Sequence, residues 1–99
     1  MTLEELYKII ISRKTELPEG SYVASLFKGD EDRIIQKVGE EATEVVIAAK
    51  NTSKERLVSE TADLLFHTLV LLAARGVSLE EVMEELERRK NNSFPIHEI

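Results

Sequence analysis

The stretch ETADLLFHTLVLLAA, Glu60 to Ala74, decides the fold. Ten of its fifteen residues are Ala, Leu, Val or Phe. At about 100° per residue these cover every side of a helix, which is therefore expected to be buried all round. It is expected to be too short and too interrupted for a membrane span, which takes about 20 apolar residues. Two of the interruptions are acids. Glu60 and Asp63 stand three residues apart and are neighbours on one surface, and His67 follows Asp63 by four on or near that surface. An exposed strip is the plain reading of two such acids. Against it, Lys and Glu fill the exposed strips elsewhere, and no Lys or Arg occurs between Leu57 and Ala74.

Helical periodicity continues on both sides of this stretch. Thr52 with Glu55 is a candidate capping box opening the apolar helix, which runs to about Arg75, and Gly76 suits the position just past its end. Before it, a long helix runs from about Asp30 to Lys50 and ends at Asn51, with Asp30, Glu31 and Asp32 where the macrodipole favours negative charge. Ser78 with Glu81 caps a last helix striped by Leu79, Val82, Met83 and Leu86. At the other terminus, Thr2 with Glu5 caps a helix carrying Leu3, Leu6, Tyr7 and Ile10 at i, i+3, i+4, i+7. Thr15 to Gly20 reads as a loop, and Ser21 to Lys28 as a short helix before Gly29.

The expected fold is all-α, a small bundle of four main helices. One domain covers 1–90, and a tail over 91–99, interrupted by Pro95, is expected to fray. Only about three other helices are available to cover the apolar one. A homodimer is therefore expected to complete the bundle.

The long helix carries a matching set of charges. Glu40, Glu41 and Glu44 share one face with Lys37, beside an apolar stripe of Ile34, Val38, Val45 and Ala49. Gly39 sits mid-helix at a cost of about 1 kcal/mol, which reads as a close approach by a backbone or ligand, or equally as a tolerated glycine. Alone, the glutamates read as a solvated face. The turn at Asn51 to Ser53 changes this. Two short-looped helices pack antiparallel, Glu44 lies seven residues before Asn51 and Glu60 seven after Ser53, and Glu41 and Asp63 each lie ten away. Four carboxylates thus come level. They would repel strongly and must take up protons or a divalent cation, and an all-oxygen donor set favours Mg²⁺ or Mn²⁺ over zinc.

Composition and charge balance agree with a carboxylate site on one small domain. The chain has 99 residues, 42% of them hydrophobic and 32% charged, enough for one core. Setting aside Glu40, Glu41, Glu44, Glu60 and Asp63 leaves 14 of the 19 acids against 13 bases, so nearly all of the −6 net charge lies in this constellation. That balance argues against a nucleic-acid partner. The absence of cysteine excludes a disulfide framework, a Cys-ligated zinc and thiol catalysis. Met1 to Lys14 is charged throughout, unlike a secretory signal, and the expected location is cytoplasmic with no membrane partner.

Glu41-x-x-Glu44 followed by Glu60-x-x-Asp63 resembles the ExxE…ExxD signature of the all-α, MazG-like nucleotide pyrophosphohydrolases. DRIIQKVGEEATEV (32–45) and ETADLLFHTLVLLAARGVSLEEV (60–82) narrow the likeness to the phosphoribosyl-ATP pyrophosphohydrolase family, over about Leu3 to Arg89. The resemblance implies Mg²⁺-dependent hydrolysis of phosphoribosyl-ATP to phosphoribosyl-AMP and pyrophosphate in histidine biosynthesis. It implies a dimer, and the stand-alone form of a domain fused in many organisms to the cyclohydrolase of the next step. It further implies Glu41, Glu44, Glu60 and Asp63 as metal ligands, with Glu40 a nearby acid able to ligate or to orient water. Arg33 and Lys37 are candidates for holding phosphate, with a plain surface cation as the other reading of each. His67 is a candidate substrate contact or a satisfied core histidine. No serine, cysteine or histidine nucleophile is implied.

Three other readings compete. A MazG-like enzyme for ordinary or damaged nucleoside triphosphates would share the carboxylates. A di-iron bundle expects Glu-x-x-His pairs, and His67 is not three residues after a Glu. A non-enzymatic helical interaction module would leave the acids solvated.

Overall fold

The computed structural model describes residues 1–51 and 53–91. These form five α-helices and no strand: α1 (Leu3–Glu16), α2 (Tyr22–Lys28), α3 (Glu31–Lys50), α4 (Lys54–Ala74) and α5 (Leu79–Asn91). The all-helical class holds, but the helices number five rather than four. Tyr22–Lys28 is a full element in its own right: the Ser21 hydroxyl accepts from the Ala24 amide at 3.1 Å, and Val23, Ala24 and Leu26 are buried. The frayed tail expected over 91–99 lies outside the described residues, except that Asn91 closes α5.

The helix ends follow local chemistry. The Thr2–Glu5 capping box forms in both directions at 2.9 and 3.0 Å, and the Ser78–Glu81 pair does the same at 3.0 and 3.1 Å. The cap expected at Thr52 lies outside the described residues. Ser53 serves instead, its hydroxyl accepting from the Arg56 amide at 3.2 Å. Gly76 adopts φ 69°, which lets Val77 N–H reach the Leu72 carbonyl (2.9 Å) and Gly76 N–H the Ala73 carbonyl (3.3 Å). This Schellman closure turns the chain into α5.

α3 and α4 pack as an antiparallel hairpin. Ion pairs at both ends fix the direction: Glu44 with Arg56 near the turn (3.6 Å) and Glu31 with Arg75 at the open end (3.7 Å). α1 lies against the C-terminal half of α4. Lys14 Nζ donates to the Ala73 carbonyl at 2.8 Å, and the Tyr7 hydroxyl donates to the Val77 carbonyl at 2.6 Å. Ile10, Val23, Leu26, Ile34, Leu69, Val70 and Ala73 form the core there.

The expectation that the apolar helix is buried all round does not hold within one chain. In α4 only His67, Leu69, Val70 and Ala73 are buried, and Leu65 is 44% exposed. α1 and α2 are too short to cover its N-terminal half, so the far end of the hairpin projects with Val46 and Val58 about 60% exposed. The apolar stripe of α3 is also narrower than expected: Ile34 and Ala48 are buried, but Ala49 is exposed. The radius of gyration, 15.1 Å, exceeds the roughly 13 Å of a compact 100-residue domain.

One further expectation is corrected and one left open is narrowed. At 21 residues, with mean hydropathy 1.5 over its most apolar window, α4 is long and apolar enough to cross a membrane. Its packing against α1 and α3, and the acids Glu60 and Asp63 along it, are nonetheless those of a core helix with one uncovered side. A methyl group added at Gly39 would meet nothing within 4 Å among the described residues, which fits the tolerated glycine of its two readings.

Candidate active site

Three carboxylates meet where the middle of α3 faces the N-terminal half of α4. One oxygen from each of Glu41, Glu60 and Asp63 lies within 4.8 Å of the others. Among the described residues this is the one such group of three. The side chains of Glu41 and Glu60 are 12% and 19% exposed, whereas Asp63 faces solvent. The hairpin register produces the meeting, because i, i+3 spacing on α4 presents Glu60 and Asp63 to the turn of α3 that carries Glu41.

The donor set fits a hard divalent cation. Each pair of carboxylates at this separation repels by roughly 1 kcal/mol in water and about 3 kcal/mol near a protein surface. Two cations offset part of that. Lys37 Nζ lies 3.3 Å from Glu41 and 3.8 Å from Glu40. Partial burial works against the charged form of Lys37, but its hydrogen bond to Glu41 and the nearby Tyr22, Glu41 and Glu40 outweigh this and hold its pKa above the usual lysine value. Arg56 bridges Glu44 (3.6 Å) and Glu60 (3.9 Å). Three carboxylates this close are a donor set that would hold a hard divalent cation.

The remaining candidates lie around this group. Glu44 stands one turn beyond Glu41 and is paired with Arg56 instead of meeting the three. Glu40 is half exposed and accepts a hydrogen bond from Gln36 Nε2 at 3.1 Å. Arg33 is exposed, one turn before Lys37. His67 is 5% exposed with both ring nitrogens engaged, Nδ1 on the Asp63 backbone carbonyl (2.8 Å) and Nε2 on the Tyr22 hydroxyl (2.9 Å).

Two residues of this neighbourhood were not singled out from sequence. Arg56 was legible as the i−4 neighbour of Glu60, just outside the cation-free stretch. Tyr22 carried no local signal, because only the docking of α2 on α4 brings it to His67. The cluster is open surface in a single chain. A groove of about 380 Å³ between α1 and α5, lined by Tyr7, Leu79 and Met83, is elsewhere and lacks comparable chemistry.

Comparison with known proteins bears on what such a cluster does. A family model described as phosphoribosyl-ATP pyrophosphohydrolase matches residues 3–90. A Metallosphaera sedula protein named phosphoribosyl-ATP pyrophosphatase is 59% identical over 87 residues, covering 88% of this chain and 94% of its own length. Proteins of the same name from Trichlorobacter lovleyi and Streptococcus sanguinis are 55% and 52% identical, over 92% and 97% of this chain and 84% and 92% of their own.

Proposed function

The chain belongs to the phosphoribosyl-ATP pyrophosphohydrolase family, and from that premise we propose that it hydrolyses phosphoribosyl-ATP to phosphoribosyl-AMP and pyrophosphate, the second step of histidine biosynthesis. The observation that carries this reading is the convergence of Glu41, Glu60 and Asp63 beside Lys37. Pyrophosphate release from phosphoribosyl-ATP, measured with and without Mg²⁺, tests it. A purified protein inactive on phosphoribosyl-ATP but active on ordinary or damaged nucleoside triphosphates would favour the alternative, a MazG-like enzyme of other specificity.

Glu41, Glu60 and Asp63 would hold Mg²⁺, or Mn²⁺ in its place, with Glu44 the fourth ligand once it leaves Arg56. A cation bound there supplies charge neutralisation at phosphate oxygens and activation of a water. The protein's own groups do the rest. Lys37, which lies 3.3 Å from Glu41, would hold a phosphate oxygen by a charge-assisted hydrogen bond. Arg33, one turn earlier, extends the same cationic edge along the triphosphate. Glu40, outside the convergent three, would ligate the cation or orient a water. No side chain serves as a covalent nucleophile.

The functional unit is a homodimer in the cytoplasm, with no nucleic-acid or membrane partner. Supporting the dimer are the uncovered sides of α3 and α4 and the exposed Met83 and Leu86 on the stripe of α5. Burying several such side chains at about 1.5–3 kcal/mol each drives association. Leu65→Arg, which puts a charge on the uncovered side of α4, is expected to give monomeric or insoluble protein in light scattering. Wild-type protein scattering as a monomer at low micromolar concentration would refute the dimer.

A further inference from the structure

We infer that Tyr22 is a substrate-contacting residue, its hydroxyl oxygen accepting a hydrogen bond from a hydroxyl of the ribose that bears the triphosphate, and that His67 positions it. The inference rests on the proposed phosphoribosyl-ATP hydrolysis and adds a recognition group on α2 to a site otherwise built from α3 and α4.

Proton bookkeeping sets the polarity. The Asp63 backbone carbonyl can only accept, so the 2.8 Å contact places a proton on His67 Nδ1. In the neutral ring Nε2 is then an acceptor, and the Tyr22 O–H at 2.9 Å must donate to it. The single proton of Tyr22 is thereby committed. What its oxygen has left are lone pairs, which suit an alcohol and not a phosphate oxygen.

Packing fixes where that oxygen sits. The Tyr22 ring stacks on Phe66 with centroids 6.2 Å apart at 26°, and meets the His67 ring edge-on at 5.8 Å. His67 in turn lies edge-on to Phe66 at 5.0 Å. Three rings thus lock one another while Tyr22 stays 44% exposed, an unusual combination for an aromatic held in one orientation. Its hydroxyl is tied through His67 to the backbone of Asp63, one of the three converging acids. A nucleotide with its phosphates at the carboxylates and Lys37 carries its ribose within a few bonds of the same corner.

Steady-state kinetics of wild type and Tyr22→Phe on phosphoribosyl-ATP, and on the analogues made from 2′-deoxy-ATP and 3′-deoxy-ATP, test this. Tyr22→Phe keeps the ring stack and removes the oxygen. KM for phosphoribosyl-ATP is expected to rise about tenfold with kcat within a factor of two, the upper end for one neutral hydrogen bond. Wild type is expected to show a similar KM rise on one of the two deoxy analogues, and Tyr22→Phe no further rise on that analogue. A merely structural tyrosine would lower the melting temperature and leave KM and the analogue discrimination unchanged. An unaltered KM in Tyr22→Phe, or wild type accepting both deoxy analogues equally with the parent, would overturn the inference; the second arm needs no variant. Wild type inactive on phosphoribosyl-ATP would overturn the functional reading itself, and this inference with it.

Discussion

Glu60→Gln is expected to lower turnover by about two to three orders of magnitude while the protein still folds. The change keeps size and polarity and removes one charge from a group of three whose oxygens lie within 4.8 Å. If that charge helps to hold Mg²⁺, its loss forfeits several kcal/mol of transition-state stabilisation, and each 1.4 kcal/mol is about tenfold in rate. Raising Mg²⁺ or substituting Mn²⁺ should restore part of the activity. Lys37→Ala is the control from the other side of the site. It removes the cation 3.3 Å from Glu41, so its loss should appear mainly as a KM increase of about 10- to 100-fold, as for a charge-assisted hydrogen bond of roughly 1.5–3 kcal/mol. Metal binding should survive or strengthen. Full turnover of Glu60→Gln at low Mg²⁺, or loss of the metal in Lys37→Ala, would reverse the roles assigned to the two helices.

The second large effect is on stability. If Mg²⁺ binds the folded arrangement and not the unfolded chain, at about 100 times its dissociation constant it should contribute about 2.7 kcal/mol. For a domain of this size that is a rise of roughly 10–20 °C in melting temperature. Asp63→Asn should act oppositely on the metal-free and metal-bound states. Without Mg²⁺ it relieves repulsion from Glu41 and Glu60, and because Asp63 faces solvent the gain is screened to about 1 kcal/mol, or several degrees. With Mg²⁺ most of the metal-dependent rise should vanish, together with activity. Calorimetry of both proteins with and without millimolar Mg²⁺ measures all four states. A wild-type transition indifferent to Mg²⁺ would count heavily against a metal at these three residues.

How far the site was legible in the chain follows from what kind of spacing encodes it. Glu60 and Asp63 share a face because 3.6 residues make a turn, and that depends on nothing beyond helix formation. Glu41 opposite them required one further premise, a short antiparallel turn, and Glu44–Arg56 and Glu31–Arg75 bear that premise out. The same counting placed Glu44 level with Glu60. The ion pair with Arg56 instead takes Glu44 aside, because side-chain direction and a competing cation decide contacts that backbone register leaves open. Tyr22 was invisible: it reaches His67 across 45 positions of sequence, through packing of α2 on α4 that no local period announces.

The helical class, the Thr2 and Ser78 caps, the closure at Gly76 and the pairing of acids on each helix are all legible in the chain, since interactions within about four residues set them. Tertiary structure alone decided which faces of those helices are covered. A periodic apolar pattern states that a surface prefers to leave water, but not what covers it. α4 carries apolar residues on every side, yet only its C-terminal half is buried by α1 and α2, because the lengths and docking angles of the neighbouring helices set where the core ends.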